Sequence, residues 1–179
     1  MSPLRLVSRL LVLALAAVSA VAVGSPAASP IANDSAAAKI SPTRVDGVHL
    51  RDTHADLRAR DKVGPIRPGC ELGGGGTRSA RLRSPLRGSV DYTLSSPRRV
   101  AAIVVRGGAR ARGVGIGAKI PRILSRFPNA TVNHDTDEVF RITLVQTPKR
   151  PNGGQITFGV STETDRTVMI GVPFIPFCE

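Results

Sequence analysis

The chain contains an internal repeat with an offset of 66 residues. Residues 47–60 read GVHLRDTHADLRAR and residues 113–126 read GVGIGAKIPRILSR, so both segments open with glycine and valine. The same offset relates two alternating segments further along, GSVDYTL at 88–94 and GQITFGV at 154–160. A fixed period of this length indicates a duplicated supersecondary unit. We therefore expect two tandem repeats, the first at residues 45–108 and the second at 109–179.

The second repeat predicts one helix followed by strands. Five apolar residues recur at helical spacing and form one stripe: Ile116, Ile120, Ile123, Leu124 and Phe127. Four segments bounded by turn residues predict strands: residues 131–134, 138–146, 155–161 and 167–172. We expect the stripe to pack on a sheet built from Val139, Ile142, Leu144, Ile156, Phe158, Val160 and Ile170.

The first repeat shows the same order with weaker signals. Thr53 followed by Asp56 resembles a capping box at a helix start. Residues 89–94 and 99–105 predict a hairpin, whereas the glycine-rich stretch 64–83 reads mostly as loop. The predicted fold class is therefore α+β, with two tandem repeats that each pack a helix on a small antiparallel sheet.

The amino terminus predicts export. Arg5 and Arg9 precede an unbroken run of apolar or small residues at 10–23, which is typical of a secretory signal peptide. We expect the signal peptide at residues 1–28 and a disordered leader rich in Ala, Ser and Pro at 29–44. The formal net charge of the chain is +12, and removal of those two arginines leaves +10. The mature protein is thus expected to be secreted, strongly basic and free of a transmembrane anchor.

Cysteine usage agrees with an oxidising compartment. Cys70 and Cys178 are the only cysteines in the chain. In an exported protein a disulfide between them is the expected state, and two free thiols are the alternative. The bond would tie the first repeat to the end of the second.

Two strings carry a resemblance to a known family. GVHLRDTHADLRAR and RGVGIGAKIPRILSRFPNA each place a glycine-flanked strand before a small cap and a helix, and the second closes on Phe-Pro. In this the chain resembles the tandem-repeat family of small secreted actinobacterial proteins. It is more distantly similar to β-lactamase inhibitory protein and to SmpA/OmlA-type lipoproteins. The resemblance covers most of residues 45–175 and implies a fold and a tendency to bind proteins.

His49, Asp52 and His54 are the nearest approach to a metal or acid–base cluster. Zinc takes three or four ligands, and His134 is the only other histidine. Asp52 and the two imidazoles are therefore interpreted as residues at a helix start. The chain has no nucleophile elbow and no Walker motif. We predict a non-enzymatic protein with no catalytic, cofactor or metal site, and a small hydrolase or ligand carrier as an alternative.

Arginine clusters suggest the mode of action. Arg78, Arg81, Arg83 and Arg87 precede the first hairpin, and Arg106, Arg110 and Arg112 lie between the repeats. Such clusters attract anions. Stacking aromatic side chains are nearly absent and export is expected, so nucleic acid is not the predicted partner. We predict a binding module for an acidic protein or an anionic cell-envelope component. The alternative from another class is a protein inhibitor of an extracellular enzyme.

Overall fold

A computed structural model describes residues 37–69 and 77–177 of the chain. The predicted signal peptide at 1–28 lies outside these residues. Cys70 and Cys178 also lie outside them, so the disulfide between these cysteines stays a prediction. In the part of the chain that is described, no helix is long and apolar enough to cross a membrane.

The described residues form twelve strands and three short helices. The strands are β1 (Ala38–Ser41), β2 (Arg44–Val45), β3 (Val48–His49), β4 (Arg67–Pro68), β5 (Arg78–Arg81), β6 (Arg87–Tyr92), β7 (Val100–Gly107), β8 (Ala109–Arg110), β9 (Thr131–Asn133), β10 (Ile142–Gln146), β11 (Thr157–Ser161) and β12 (Arg166–Val172). The helices are α1 (His54–Ala59), α2 (Ile120–Arg126) and α3 (Asp137–Phe140).

Eight strands form one antiparallel sheet in the order β4-β5-β6-β7-β12-β11-β10-β9. Strands β7 and β12 pair at its centre, with Val105 opposite Ile170. The strand order is therefore mirrored about this central pair. A smaller sheet has the order β3-β2-β1-β8, in which β1 and β8 run parallel. Strand β1 lies within residues 29–44, so the folded unit includes residues that composition assigned to the leader.

The predicted α+β fold class of two helix-on-sheet repeats is wrong, because the protein is mostly β. The three helices span six, seven and four residues, and strands from both halves join one large sheet. Strand β7 has the sequence VAAIVVRG, and its Val and Ile side chains suit a pleated, half-buried surface. The helices add short segments beside this sheet rather than a layer for each repeat.

Helix α2 is shorter than the predicted stripe. Gly117 has a φ of +87°, and its N–H donates to the Thr167 carbonyl at 2.8 Å, so the backbone there is not helical. The helix begins at Ile120 instead. Ile116 consequently stays 38% exposed, whereas Ile123 and Phe127 are buried. The burial prediction is confirmed for these two residues and wrong for Ile116, and Ile120 and Leu124 are half-buried against the main core.

The predicted strand at 138–146 is half helix. Helix α3 occupies its first part and ends at Phe140, and Arg141 then takes a left-handed φ of +54° before β10 begins. Asp137 anchors this turn by accepting a hydrogen bond from the Thr143 hydroxyl at 2.9 Å. Val139 is 65% exposed, so its predicted burial in the sheet is wrong.

The large sheet has an inner and an outer face. Ile103 and Val105 belong to the main core, together with Leu57 of α1 and Ile123 of α2. Val104 lies between them in β7 and belongs to a second cluster on the opposite face. Helices α1 and α2 and the small sheet therefore share one core with the inner face.

The C-terminal segment 173–177 follows β12 and covers part of the outer face. Ile175 packs with Val104 and Ile142, and the ring of Phe177 stacks on Phe140 at a centroid distance of 4.5 Å. This cover lies over the central strand β7 and over strands of the second half. The outer face of the first half carries polar side chains and forms the candidate site.

Candidate functional site

The first half of the outer face carries an arginine and a serine side by side. Arg81 in β5 and Ser89 in β6 are opposite each other in register. Their neighbours Ala80 and Val90 are buried in the main core. Because successive strand residues point to opposite faces, Arg81 and Ser89 project outward.

Arg67 in the edge strand β4 joins this face. It lies opposite Ser79 in β5, and its Nε donates to the Ser79 hydroxyl at 3.3 Å. Sequence reasoning missed Arg67 because the stretch 64–83 was interpreted as loop. The available signal was Pro68, since a residue before proline favours extended backbone and proline is tolerated in edge strands.

A β-bulge positions Arg87 beside Arg106. The register of β6 and β7 shifts between Arg87 and Gly88. Gly88 has a φ of +144°, and a Cβ there would overlap the Val104 carbonyl oxygen, so the bulge requires glycine. The Arg87 guanidinium lies against the backbone of Gly107, with Nη2 2.5 Å from the position that a Cβ would take. The bulge thus directs Arg87 across the strand that carries Arg106.

Four arginines line one cavity of about 360 Å³ on this face. We call Arg67, Arg81, Arg87 and Arg106 the arginine face. Ser89 and Gly88 also line the cavity, and Ser89 adds a hydroxyl. In the described ranges no carboxylate forms an ion pair with Arg81, Arg87 or Arg106. Three guanidinium groups are therefore available to an anion from outside.

Asp91 is the acidic residue that acts on the arginine face. Burial raises the pKa of the Asp91 carboxyl, and the positive charge of Arg67 offsets part of that rise. The attraction ties Arg67 electrostatically to a residue of the protein itself. The charge of Arg67 is therefore partly balanced by a nearby carboxyl, whereas no such effect is seen for Arg81, Arg87 or Arg106 among the described residues.

The remaining predicted arginines lie elsewhere. Arg78 donates from Nη1 to the Thr77 carbonyl at 3.0 Å. Arg83 pairs with Asp61, with 3.5 Å between Nε and Oδ1. Arg110 lies in the small sheet opposite Lys39, and Arg112 lies over a phenylalanine ring beside α2. The structure therefore brings together three of the seven predicted residues, namely Arg81, Arg87 and Arg106.

His49, Asp52 and His54 do not converge on a common point. Asp52 Oδ2 accepts from the His49 amide at 2.9 Å and lies 2.7 Å from Arg60 Nη2. His54 instead places Nε2 3.1 Å from the Gly64 carbonyl. In the described parts of the chain, no three His, Cys, Asp or Glu side chains form a group suited to a metal ion. The contacts of Asp52 and His54 are those of residues that hold the start of α1.

Comparison of the chain with protein-family models, curated proteins and solved structures finds no match. The resemblance to the tandem-repeat secreted family therefore stays a prediction.

Proposed function

We propose that the protein is a secreted, non-enzymatic binding module that recognises an anionic partner through the arginine face. The partner is an acidic protein surface or an anionic cell-envelope polymer. The observation that carries this proposal is the cavity lined by Arg67, Arg81, Arg87 and Arg106. Three of these side chains have no ion pair in the described chain.

The chemistry of guanidinium supports an oxyanion partner. Each guanidinium is planar, stays charged at physiological pH and presents paired donors that match carboxylate or phosphate oxygens. Several such groups around one concave site raise the local concentration of anions and speed association. The hydroxyl of Ser89 adds a neutral donor at the same site. Binding through such a face weakens as salt screens the charges.

The same surface favours an anionic partner over the alternative of an enzyme inhibitor. That alternative expects large apolar side chains exposed on a continuous sheet, because interface anchors are mostly aromatic or apolar. The sheet is continuous, yet the open part of its outer face presents Arg81, Ser89 and Asp91. The composition of this surface supports electrostatic recognition.

The proposal predicts that the variant R81Q/R87Q/R106Q binds anionic polymers at least about tenfold more weakly than the wild type. Hydrogen bonds to charged groups contribute roughly 1.5–3 kcal/mol each, and about 1.4 kcal/mol corresponds to a factor of ten. Titration calorimetry against polyglutamate and against a glycerol-phosphate teichoic acid, at low and high salt, measures the loss. The two polymers distinguish a carboxylate partner from a phosphate partner.

The matched control is the variant K119Q/R122Q/R126Q, which removes the same charge from exposed residues outside the cavity. We expect it to bind within about threefold of the wild type, because screened surface charges act weakly at a distance. Equal losses in both variants would show that net charge, not the arginine face, drives binding. Binding that ignores salt and both sets of substitutions would contradict the proposal outright.

A further inference from the structure

A second cavity, of about 530 Å³, lies at the other half of the molecule. Its walls come from the turn after β1, the end of α2 and the connection between β10 and β11. The Gln155 amide donates to the Pro42 carbonyl at 3.0 Å, which joins two of these walls. The volume falls within the range of about 300–1,000 Å³ that is typical of small-molecule sites.

The floor of this cavity is apolar. Ile40, Phe127 and Ile156 line it, and all three belong to the buried core. Pro148 and Pro151 stand at its edge, where their rings limit backbone rotation. The hydroxyl of Thr147 also lies here, but it accepts the Ile156 amide at 2.9 Å. The walls therefore offer preformed apolar surface, so the protein loses little conformational entropy when a ligand enters.

The rim of the cavity is cationic. Arg112, Lys149 and Arg150 line it, and none of the described lining residues is acidic. The Arg112 guanidinium lies 5.2 Å from the centroid of the Phe127 ring, and its Nη1 donates to the Arg126 carbonyl at 3.4 Å. A cation over an aromatic face is held in place while it keeps donors free for an anion.

We infer that this cavity binds a small amphipathic anion, an aliphatic chain that ends in a single carboxylate. The chain would lie on the floor formed by Ile40, Phe127 and Ile156. The carboxylate would take two hydrogen bonds from the Arg112 guanidinium, whose geometry suits it. Lys149 and Arg150 add positive charge at the entrance. This site is separate from the arginine face and implies a ligand-carrying activity beyond the proposed recognition of anionic partners.

A series of ligands with one chain and three head groups tests the inference on the wild-type protein. Decanoate, decan-1-ol and decylammonium share the alkyl chain and differ in charge. We expect decanoate to bind more tightly than decan-1-ol, and decylammonium not to bind. Methyl resonances of Ile40 and Ile156, followed in NMR spectra, should shift with decanoate and report the location. Equal binding of decylammonium, or shifts confined to other methyl groups, would overturn the inference.

Two variants separate the head group from the chain. R112Q should weaken decanoate binding by about tenfold or more and leave decan-1-ol within about twofold, because it removes only the charged partner. Ala130 also lines the cavity, and A130L should weaken both ligands by filling space. A thermal melt reports whether A130L folds, and the ligand series on the wild type decides the matter if it does not.

The arginine-face variant R81Q/R87Q/R106Q should bind decanoate like the wild type. A failure of this inference can thus be told apart from a failure of the proposed function. If R112Q and wild type bind decanoate equally, the carboxylate is not recognised at this rim and the inference is wrong.

Discussion

Replacing Ile123 with alanine is expected to lower the free energy of unfolding by about 2–5 kcal/mol. Ile123 lies in α2 with no exposed surface and belongs to the main core. Truncation removes buried methyl groups and leaves a cavity that the neighbouring sheet cannot fully collapse into. Urea denaturation followed by circular dichroism measures the change. A loss of this size would be a large fraction of the stability of an ordinary domain.

Ile116 provides the matched control for this substitution. It carries the same side chain and lies four residues before the start of α2 at Ile120. Unlike Ile123, it is 38% exposed. Ile116→Ala is therefore expected to lower the free energy of unfolding by clearly less than Ile123→Ala does, roughly 1 kcal/mol or below. If the two substitutions cost the same, the burial assigned to α2 is incorrect.

Raising the pH from about 10 to about 12 is expected to destabilise the protein by roughly 2 kcal/mol through Tyr92 alone. Burial raises the pKa of Tyr92 to about 12, and the negative charge of Asp91 adds to the rise. The unfolded chain releases this proton near pH 10. Between these values the folded state binds more protons than the unfolded state, so stability falls as pH rises. Well below pH 10 Tyr92 is neutral in both the folded and the unfolded chain, so none of this stability is lost.

Tyr92 is the only tyrosine and the chain has no tryptophan, so the ultraviolet absorbance of tyrosinate follows this one group. Its hydroxyl is buried and has no hydrogen-bond partner among the described residues. Tyr92→Phe should therefore raise the stability at neutral pH by about 1 kcal/mol. The variant should also lack the part of the alkaline fall in stability that Tyr92 causes. Lysine titration affects both proteins equally, so the difference between them reports Tyr92 alone. Tyrosinate that forms near pH 10 in the folded protein would contradict the assignment.

Local signals in the sequence determined several elements. The cap at Thr53 is confirmed, because its hydroxyl accepts the Asp56 amide at 3.2 Å. The Thr53 hydroxyl also donates a hydrogen bond to the Asp56 carboxylate, and this bond lowers the pKa of the Asp56 carboxyl. The first hairpin is confirmed as β6 and β7, with bounds shifted by up to two residues. Each of these features depends on residues close together in the chain, so a pattern of side chains is sufficient to predict it.

Part of the candidate site was also visible in the sequence. Arg81, Arg87 and Arg106 were predicted as anion-binding residues, and they line one cavity. Arg67 was missed because two-residue strands carry almost no periodic signal. Arg83 was grouped with them by its place in the chain, yet it pairs with Asp61. Nearness in sequence does not tell on which face of a sheet a side chain projects.

The fold class depended on pairings that no local pattern reveals. The sequence by itself determined the offset of 66 residues, the approximate positions of six of the twelve described strands and the burial of Ile123 and Phe127. Only the tertiary structure decided that β7 pairs with β12 and merges the strands of both halves into one sheet. Likewise, the cover of residues 173–177 on the outer face decides which half stays open to a partner. The physical reason is that strand pairing is satisfied by backbone hydrogen bonds between distant segments, and these bonds leave no signature in the side chains.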